Sequence, residues 1–371
     1  MTDTILSRKS LTAIAPGFVL PAMFLGYAVV ANYEFLTGLG RDIAEMPKSA
    51  SAYLSGEAAT QIDSYYKKIM PHRLPSIDAM GAARYLAFRE GRPGVVVGED
   101  GWLFSREEFE ATLQRTPDLA EAAAGVSAIR DQLAAQGIEL VVVPLPAKAD
   151  IYGEHVGYAA IPDDLERLYG DFLALLDREG VRAVDTRPAL LDARAGGPLF
   201  LTTDTHWTPR GAEVVADAVG AALGRGDAVY TIADTAPVTR EGDLSKFIVT
   251  GGLAPLVGLG PETIVPRAAS APTDAAPTDI FGPSSIPYAL VGTSYSANEQ
   301  WSFGESLKVA LGADVLNLAE EGKGPIAPMR SVLAGDTLRD SPPSTVIWEF
   351  PIRYLGQPRL WDAEAPTEAT P

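Results

Sequence analysis

The chain contains no cysteine and only three histidines among its 371 residues. Without cysteine it can form no disulfide framework, no thiolate zinc site and no cysteine nucleophile. Positive charge is also scarce, because 30 lysines and arginines stand against 48 aspartates and glutamates and give a formal net charge of −18. Since phosphate groups require a basic patch, this balance argues against nucleic acid as a partner.

The sequence also lacks the patterns typical of metal and nucleotide sites. No His-x-x-x-His spacing and no clustered set of carboxylates predicts a metal centre. The glycines of 251-GGLAPLVGLG-260 match neither a phosphate loop nor a dinucleotide fingerprint. We therefore expect a protein that functions without a metal or another cofactor.

An apolar segment near the N-terminus predicts export. Arg8 and Lys9 precede an uncharged run over 10–33, and acidic and mixed residues follow. A basic flank before about 20 apolar residues is typical of a signal sequence or a membrane anchor, and the basic side stays in the cytoplasm. We expect residues 1–33 to be an uncleaved anchor, with cleavage after Ala31 as the signal-sequence alternative. A buried helix of a soluble domain is the competing interpretation.

The segment 34–90 has a mixed composition that predicts a helical stalk or linker. Its histidine, His72, has no candidate partner nearby, so we interpret it as structural. Next, 94-GVVVGEDGWLFSREEF-109 places a Glu-Asp-Gly turn between two apolar runs. This arrangement predicts a β-hairpin.

Residues 91–355 predict an α/β domain with a mainly parallel sheet. An alanine-rich helix over 119–136 leads into a buried strand at 138–146, and an amphipathic helix over 163–180 leads into a strand at 181–186. This repeated order of helix, glycine and strand is typical of βαβ units with right-handed crossovers.

The later part of the domain has one long irregular segment. Thr208 is suited to cap a helix that begins at Pro209. The segment 225–285, rich in Pro, Ala, Thr and Gly, predicts a long excursion or poorly ordered loop and not a second core. The proline-rich, acidic residues 356–371 predict a disordered tail. Between these two segments the sequence predicts a strand from 287, a short helix over 301–311, and strands over 314–319 and 344–350.

A candidate nucleophile follows the strand in 289-ALVGTSYS-296. Ligands of α/β sheets bind at the carboxyl ends of the strands, and the turn after such a strand can direct backbone N–H groups at an oxyanion. Ser294, preceded by Gly292 and Thr293, has room to expose its hydroxyl at this edge.

Asp204-Thr205-His206 supplies the groups that a serine nucleophile requires. Histidine is the usual base because its pKa lies near neutrality, and a carboxylate holds the correct tautomer. Residues two apart in an extended segment point the same way, so Asp204 can reach the His206 imidazole. In the competing interpretation, Asp204 caps a turn and His206 packs under Trp207.

Two other residues compete for these roles. His155 lies in a loop after a strand, but its neighbour Glu154 points away in an extended segment. Ser296 lies two residues after Ser294 and shares its face, yet it falls deeper in the next element. We rank both behind the Gly-Thr-Ser and Asp-x-His residues.

Five segments of the chain form a distinctive set. They are GWLF at 101–104, PLPAKADIY at 144–152, TDTHWTPRGA at 203–212, GTSYS at 292–296 and WEFPIRYL at 348–355. Together they resemble the alginate O-acetyltransferase family of J and X type, which are exported, SGNH-hydrolase-like proteins that O-acetylate exopolysaccharides. The resemblance implies a three-layer α/β/α fold that is circularly permuted, because the aspartate and histidine precede the serine.

The resemblance also implies a mechanism and a set of site residues. Ser294 is the nucleophile, His206 the general base and Asp204 the residue that orients it, and acetyl passes through an acetyl-serine to a sugar hydroxyl. The other candidates are oxyanion donors, the Ser294 N–H with Gly322 or Gly324, and residues of an acceptor groove, Arg353 and Tyr354. A surface clamp on the sheet is the alternative role for Arg353 and Tyr354.

The family's J type fits better than its X type. X-type proteins carry a C-terminal carbohydrate-binding module, for which we expect no room after WEFPIRYL, and the expected anchor suits a membrane-tethered relay. Such proteins lie in the periplasm at the inner membrane, beside a membrane-bound O-acyltransferase that supplies acetyl groups. We therefore expect that partner, together with a polysaccharide acceptor or a relay protein.

The acceptor and the activity leave alternatives open. A net charge of −18 should repel a polyuronate, so a neutral polymer such as cellulose is an alternative acceptor to an alginate-like one. A carbohydrate acetylesterase would use the same triad with water as acceptor. A non-catalytic scaffold of an exopolysaccharide export complex would keep the fold without bringing the Ser294 Oγ within hydrogen-bond reach of His206.

Overall fold

The computed structural model describes residues 21–33, 49–69, 73–113, 115–157, 162–271, 286–357 and 360–361. The predicted structural residue His72 lies outside these ranges. The chain divides into two compact units, Met1–Met80 and Gly81–Pro371.

Helices make up the described part of the first unit. They are α1 at 21–33, α2 at Ala50–Leu54, α3 at Glu57–Ile69 and the first half of α4 at Arg73–Phe88. α2 begins where the Ser49 hydroxyl accepts a hydrogen bond from the Ala52 N–H, as an N-cap residue does. Within the described ranges, no helix combines the length and the apolar character that crossing a membrane requires.

A five-stranded parallel sheet forms the centre of the second unit. Its strands are β3 (Glu139–Leu145), β4 (Arg182–Ala183), β9 (Tyr288–Val291), β10 (Val315–Asn317) and β11 (Thr345–Pro351), in the spatial order β10-β9-β11-β3-β4. Every pairing is parallel. All seven residues of the central strand β11 are buried, which explains the continuous apolar runs, because parallel strands are covered on both faces.

Helices cover both faces of this sheet. α6 (Arg115–Ala134) packs against α8 (Pro162–Arg178), and α10 (Pro209–Leu223) packs against α12 (Phe303–Leu311). The crossover from β3 through α8 to β4 runs along the sheet in one direction, and that from β9 through α12 to β10 runs in the other. Right-handed crossovers therefore place α8 and α12 on opposite faces, and the result is the predicted three-layer arrangement.

The remaining elements are a β-hairpin and several further helices. The predicted hairpin is confirmed as β1 (Val95–Val97) paired antiparallel with β2 (Leu103–Ser105). The predicted start of α10 is confirmed too, because the Thr208 hydroxyl accepts from the Gly211 N–H ahead of a helix that begins at Pro209. The other helices are α5 (Arg106–Leu113), α7 (Lys148–Ile151), α9 (Arg187–Ala193), α11 (Ser294–Ala297), α13 (Ile326–Ala334) and α14 (Thr337–Asp340).

The sequence predicts the segment 225–285 as a long excursion or poorly ordered loop and not a second core. Its described strands do lie outside the central sheet, but the prediction of a poorly ordered loop without a core is wrong for its described part. β5 (Thr231–Asp234) pairs with β8 (Arg267–Ser270), and β6 (Val238–Arg240) pairs with β7 (Glu262–Ile264), both antiparallel. These strands have only three or four residues, too few for a clear alternating pattern. The segment also supplies most of a second buried cluster, which comprises Tyr85, Val95, Leu103, Leu244, Ile248, Val249, Ala254 and Leu259.

The ordered core also reaches beyond the predicted domain end at residue 355. Trp361 is buried, its ring lies 5.2 Å from that of Phe350 and 6.1 Å from that of Trp348, and its N–H donates to the Tyr354 carbonyl at 3.3 Å. The prediction of a disordered tail from residue 356 is therefore wrong at Trp361. The composition of the tail, averaged over sixteen residues, conceals this one aromatic anchor; residues 362–371 lie outside the described part.

Candidate active site

The candidate nucleophile lies at the carboxyl edge of the central sheet. β9 ends at Val291, and Gly292 and Thr293 lead directly into the short helix α11, which begins at Ser294. Thr293 has an extended backbone and caps this helix. The sequence of strand, glycine and cap thus turns the chain sharply and leaves Ser294 half-buried at the edge where α/β folds bind ligands.

Ser294, His206 and Asp204 form a continuous hydrogen-bonded chain. His206 Nε2 lies 2.7 Å from Ser294 Oγ, although the two residues are 88 positions apart. On the other side of the ring, His206 Nδ1 lies 2.6 Å from Asp204 Oδ1, which also accepts from the His206 backbone N–H at 2.9 Å. With Nδ1 protonated toward the carboxylate, Nε2 is free to accept the serine proton.

The environment of Asp204 keeps its carboxylate ionised. Burial of Asp204 opposes ionisation, but the hydrogen bond and charge of His206, together with the N–H groups of His206 and Asp243, outweigh it and lower its pKa to about 2. The carboxylate therefore carries a full charge at neutral pH, where it can stabilise a protonated imidazole.

A buried lysine holds the loop that carries Asp204. The Nζ of Lys148, at the start of α7 just after β3, donates to the carbonyl oxygens of Leu103 at 2.7 Å, Thr202 at 3.0 Å and Asp204 at 2.9 Å. Burial lowers the pKa of Lys148 to about 8, against the opposing effect of nearby carboxylates, Glu108 foremost. Lys148 lies within the PLPAKADIY segment, yet nothing in its local sequence indicated this role.

Two acidic residues from the supposed loop over 225–285 complete the support. The Asp243 N–H donates to Asp204 Oδ2 at 3.0 Å, and the Asp243 carboxylate accepts from the Thr205 N–H at 2.8 Å and the Thr205 hydroxyl at 2.6 Å. The Glu262 carboxylate accepts from the N–H groups of Thr202 and Thr203 at 2.9 and 2.8 Å. No sequence signal distinguishes these two among 48 acidic residues.

These contacts also account for a group of potential metal ligands. Asp204, His206 and Asp243 offer atoms within 4.8 Å of one another. Both oxygens of each carboxylate already accept hydrogen bonds. Those of Asp204 accept from His206 and from the Asp243 N–H, and those of Asp243 accept from the N–H and the hydroxyl of Thr205. Hydrogen bonding therefore explains the cluster without an ion.

Aromatic rings fix the position of the imidazole. The Trp301 ring stacks on His206 with centroids 5.1 Å apart and planes at 18°, and the Tyr295 ring lies 4.7 Å away. The Tyr295 hydroxyl donates to the Thr205 carbonyl and accepts from Arg353 Nη1 at 3.3 Å. Because Trp301 and Tyr295 are buried, the imidazole has little freedom to turn away from Ser294.

The rival base and the rival nucleophile have other partners. The His155 ring stacks on Trp102 at 4.7 Å, and its Nδ1 lies 3.5 Å from Asp100 Oδ2. Its neighbour Glu154 forms an ion pair of 2.8 Å with Arg194. Ser296 is buried and donates to Glu349 Oε2 at 2.7 Å. Within the described part of the protein, neither His155 nor Ser296 takes part in the chain of hydrogen bonds that joins Asp204 to Ser294.

The oxyanion and acceptor candidates fall in two groups. Gly322 and Gly324 both have a left-handed φ, of 69° and 63°, and a Cβ on Gly324 would lie 3.6 Å from the Tyr354 ring; no described contact joins either glycine to Ser294. Arg353 is only 8% exposed and contacts the Tyr295 hydroxyl and the Glu107 carboxylate, the latter at 3.2 Å. Its guanidinium group thus belongs to the framework, and Tyr354 remains the half-exposed candidate for an acceptor groove.

Comparison with known proteins places this chain in a family. Residues 95–352 match the family described as SGNH hydrolase-like domain, acetyltransferase AlgX. The probable alginate O-acetylase AlgJ of Pseudomonas aeruginosa is 38% identical over 359 residues, which cover 89% of this chain and 90% of that protein. The alginate biosynthesis protein AlgX of Pseudomonas putida is 30% identical over 306 residues, which cover 76% of this chain and 62% of that protein.

Solved structures give the same result. The O-acetyltransferase domain of Pseudomonas putida AlgJ superposes with a TM-score of 0.64 at 39% identity, over 72% of this chain and 93% of that one. Pseudomonas aeruginosa AlgX superposes with a TM-score of 0.60 at 25% identity, over 76% of this chain and 67% of that one. The chain therefore belongs to the family of SGNH hydrolase-like acetyltransferase domains typified by AlgX, and within it lies closer to the J type than to the X type.

Proposed function

We propose that this chain is an O-acetyltransferase that carries acetyl on Ser294 during the acetylation of an exopolysaccharide. The observation that supports it most directly is the unbroken chain from Ser294 Oγ through His206 to Asp204, with distances of 2.7 and 2.6 Å. These distances lie within hydrogen-bond reach. A scaffold without chemistry has no need of this alignment, or of the buried ions that hold it.

The first half of the reaction forms an acetyl-enzyme. Ser294 Oγ attacks the carbonyl carbon of the acetyl donor while His206 Nε2 takes the hydroxyl proton, and the ionised Asp204 stabilises the imidazolium. The Ser294 backbone N–H, at the start of α11, is the proposed donor to the oxyanion. Collapse of the tetrahedral intermediate breaks the bond to the leaving group, which takes the proton from His206.

The second half transfers acetyl to a sugar. A sugar hydroxyl gives its proton to His206 Nε2 and attacks the acetyl carbon, and Ser294 leaves with that proton restored. Relatives named alginate O-acetylases favour a uronate polymer as acceptor, although the net charge of −18 disfavours close approach of a polyanion. A neutral polysaccharide or a second relay protein is the alternative acceptor.

The setting of the reaction is part of the proposal. We place the domain in the periplasm, anchored to the inner membrane by the N-terminal apolar segment, beside a membrane-bound O-acyltransferase that supplies acetyl groups. The basic flank of that segment supports this orientation, because the positive side of such a segment stays in the cytoplasm. The order Asp204, His206, Ser294 in the chain further supports a circularly permuted form of the SGNH fold.

One experiment tests the covalent step and the acceptor together. The full chain in detergent is incubated with 4-nitrophenyl acetate, and the acetylated peptides are identified by mass spectrometry in wild type, Ser294→Ala and His206→Ala. We expect one acetyl group on Ser294, absent from both variants. Mannuronate and cello-oligosaccharides are then added, and acetyl-sugar is measured against free acetate.

The outcomes separate the candidate functions. Acetyl-sugar in excess over free acetate identifies a transferase, whereas free acetate alone with either sugar identifies the acetylesterase. If wild type takes up no acetyl on Ser294 and hydrolyses no ester, the triad proposal is wrong and the scaffold alternative leads.

A further inference from the structure

The nucleophile turn encloses a carboxylate that the acetyl transfer itself does not use. Glu349 lies in β11, next to β9, and is completely buried. Its Oε2 accepts from the Thr293 N–H at 3.0 Å and from the Ser296 hydroxyl at 2.7 Å, and its Oε1 accepts from the Thr293 hydroxyl at 3.1 Å. Three donors from one turn therefore converge on one side chain of the central strand.

The glycine that precedes this turn is required by the same carboxylate. A Cβ on Gly292 would lie 2.5 Å from Glu349 Oε2 and 2.9 Å from the Ser296 Oγ. Any larger residue at this position displaces the carboxylate from its donors. Gly292 thus leaves space for the Glu349 carboxylate, and Thr293 and Ser296 donate hydrogen bonds to it. The Ser294 hydroxyl faces His206 instead.

A buried carboxyl group at position 349 costs folding free energy, which indicates that the residue has a role. Burial raises the pKa of the Glu349 carboxyl, and the hydrogen bonds from Ser296 and Thr293 act in the opposite direction. A buried carboxylate is retained only where such donors satisfy it. An apolar side chain at this position of β11 would fill the core without that cost.

From these contacts we infer that Glu349 is a positioning residue, which sets the direction of the Ser294 hydroxyl by fixing the residues on both sides of it. This inference rests on the proposed acetyl-serine mechanism. α11 has four residues, so its own hydrogen bonds hold it weakly, and Thr293 and Ser296 tie it to the rigid centre of the sheet. A misplacement of about 1 Å can reduce a reaction rate by about 10²-fold.

The test compares Glu349→Gln with Glu349→Ala in the full chain. The rate constant for acylation of Ser294 is measured from the release of 4-nitrophenol as a function of ester concentration. A glutamine oxygen can accept from Thr293 N–H and Ser296, and its amide can donate to the Thr293 hydroxyl. We expect Glu349→Gln to keep the rate constant within about threefold, and Glu349→Ala to lower it about 10²-fold without raising the half-saturating ester concentration.

A second pair of variants guards against misfolding. Ser296→Ala removes one donor to Glu349 without emptying the core, and we expect it to lower the rate constant about 10-fold. Ser306→Ala is its matched control, because Ser306 is a buried serine of α12 whose hydroxyl has no hydrogen-bond partner among the residues that the structure describes. Thermal unfolding of each variant establishes that it is folded, and Ser306→Ala should react like wild type.

Three results would overturn the inference. Wild-type acylation rates in both Glu349→Ala and Ser296→Ala would leave the proposed function intact and remove Glu349 from it. An equal loss in Glu349→Gln and Glu349→Ala would mean that the charge matters and not the position. Failure of wild type to acylate on Ser294 would overturn the proposed function, and this inference with it.

Discussion

Lys148 donates a hydrogen bond of 2.9 Å to the backbone carbonyl of Asp204. The same ammonium group holds the carbonyls of Leu103 and Thr202, so one buried cation joins the β-hairpin to the loop that carries the Asp204 carboxylate. Lys148 holds the loop of Asp204, and a different buried side chain, Glu349, holds the turn of Ser294. Variants of the two residues can therefore be measured separately for stability and for rate.

Lys148 should make the unfolding free energy increase with pH in the alkaline range. Burial lowers its pKa from 10.5 to about 8, so between these values the unfolded chain binds more protons than the folded chain. Stability rises with pH under that condition. The difference in unfolding free energy between wild type and Lys148→Met should therefore increase from about pH 8 to pH 10.5, as measured by urea denaturation. A constant or decreasing difference would contradict the lowered pKa.

Asp204→Asn should abolish most of the acylation activity without unfolding the domain. Asparagine can keep the size of the side chain but cannot stabilise the imidazolium, and it favours the wrong histidine tautomer, so we expect a loss of about 10³- to 10⁴-fold in the acylation rate constant. Asp177→Asn, at an exposed position of α8, is the control and should react like wild type. A loss of less than tenfold would indicate that His206 acts without its carboxylate.

The same carboxylate should contribute stability that disappears in acid. Its pKa is lowered from 3.8 to about 2, so the folded state holds the ionised form more strongly than the unfolded state does. This contribution is fully present above pH 3.8 and is lost as pH falls toward about 2. The stability advantage of wild type over Asp204→Asn should shrink over that range in denaturation curves, and an advantage that persists there would contradict the assignment.

Metal removal should leave the acylation rate unchanged. Asp204, His206 and Asp243 lie close enough to bind an ion. In the proposed mechanism, however, a metal on His206 would occupy the nitrogen that accepts the serine proton or would displace the hydrogen bond to Asp204. Dialysis against EDTA, with metal content measured by mass spectrometry, should give the wild-type rate. Activity that is lost on dialysis and restored by zinc or manganese would refute the metal-free mechanism.

Trp361→Ala should destabilise the domain, although residue 361 lies beyond the predicted domain end. Its buried ring packs against Trp348 and Phe350, and removal of such a ring costs about 3–5 kcal/mol. Leu256→Ala, at a side chain that is 78% exposed, should change the unfolding free energy by less than about 0.5 kcal/mol. Equal melting temperatures for Trp361→Ala and wild type would show that the tail contributes nothing.

The sequence predicted the sheet better than it predicted the support of the site. The strand predicted over 138–146 is found at Glu139–Leu145. It could be predicted because a β-branched run bounded by a glycine and a proline is a local sequence pattern. His206 and Ser294 could be singled out because histidine is rare in this chain and because serine follows a strand end. Each of these patterns can be recognised from residues that are close together in the sequence.

The residues that hold the candidate site carry no such signal. Asp243 contacts residues 39 positions away, Glu262 residues about 60 away, and Glu349 residues 56 and 53 away. Each is one acidic residue among 48, and its role depends on long-range packing. The short strands within 231–270 carry little sequence signal for a related reason, since three or four residues with one exposed face show little periodicity.

The pairing of β3 with β11 has a consequence for how this site can vary. In that pairing Glu349 stands opposite Val143 and Pro351 opposite Leu145, and Lys148 follows three residues after Leu145. Glu349, which holds the turn of Ser294, thus lies in β11, and Lys148, which holds the loop of Asp204, begins the helix that follows the adjacent strand β3. We therefore expect the register between these two strands to set the spacing between Ser294 and His206. A slip of two residues would separate them by about 6–7 Å. Surface segments between the strands can therefore lengthen or shorten during evolution. A shift of β3 relative to β11, however, would move Ser294 out of hydrogen-bond reach of His206.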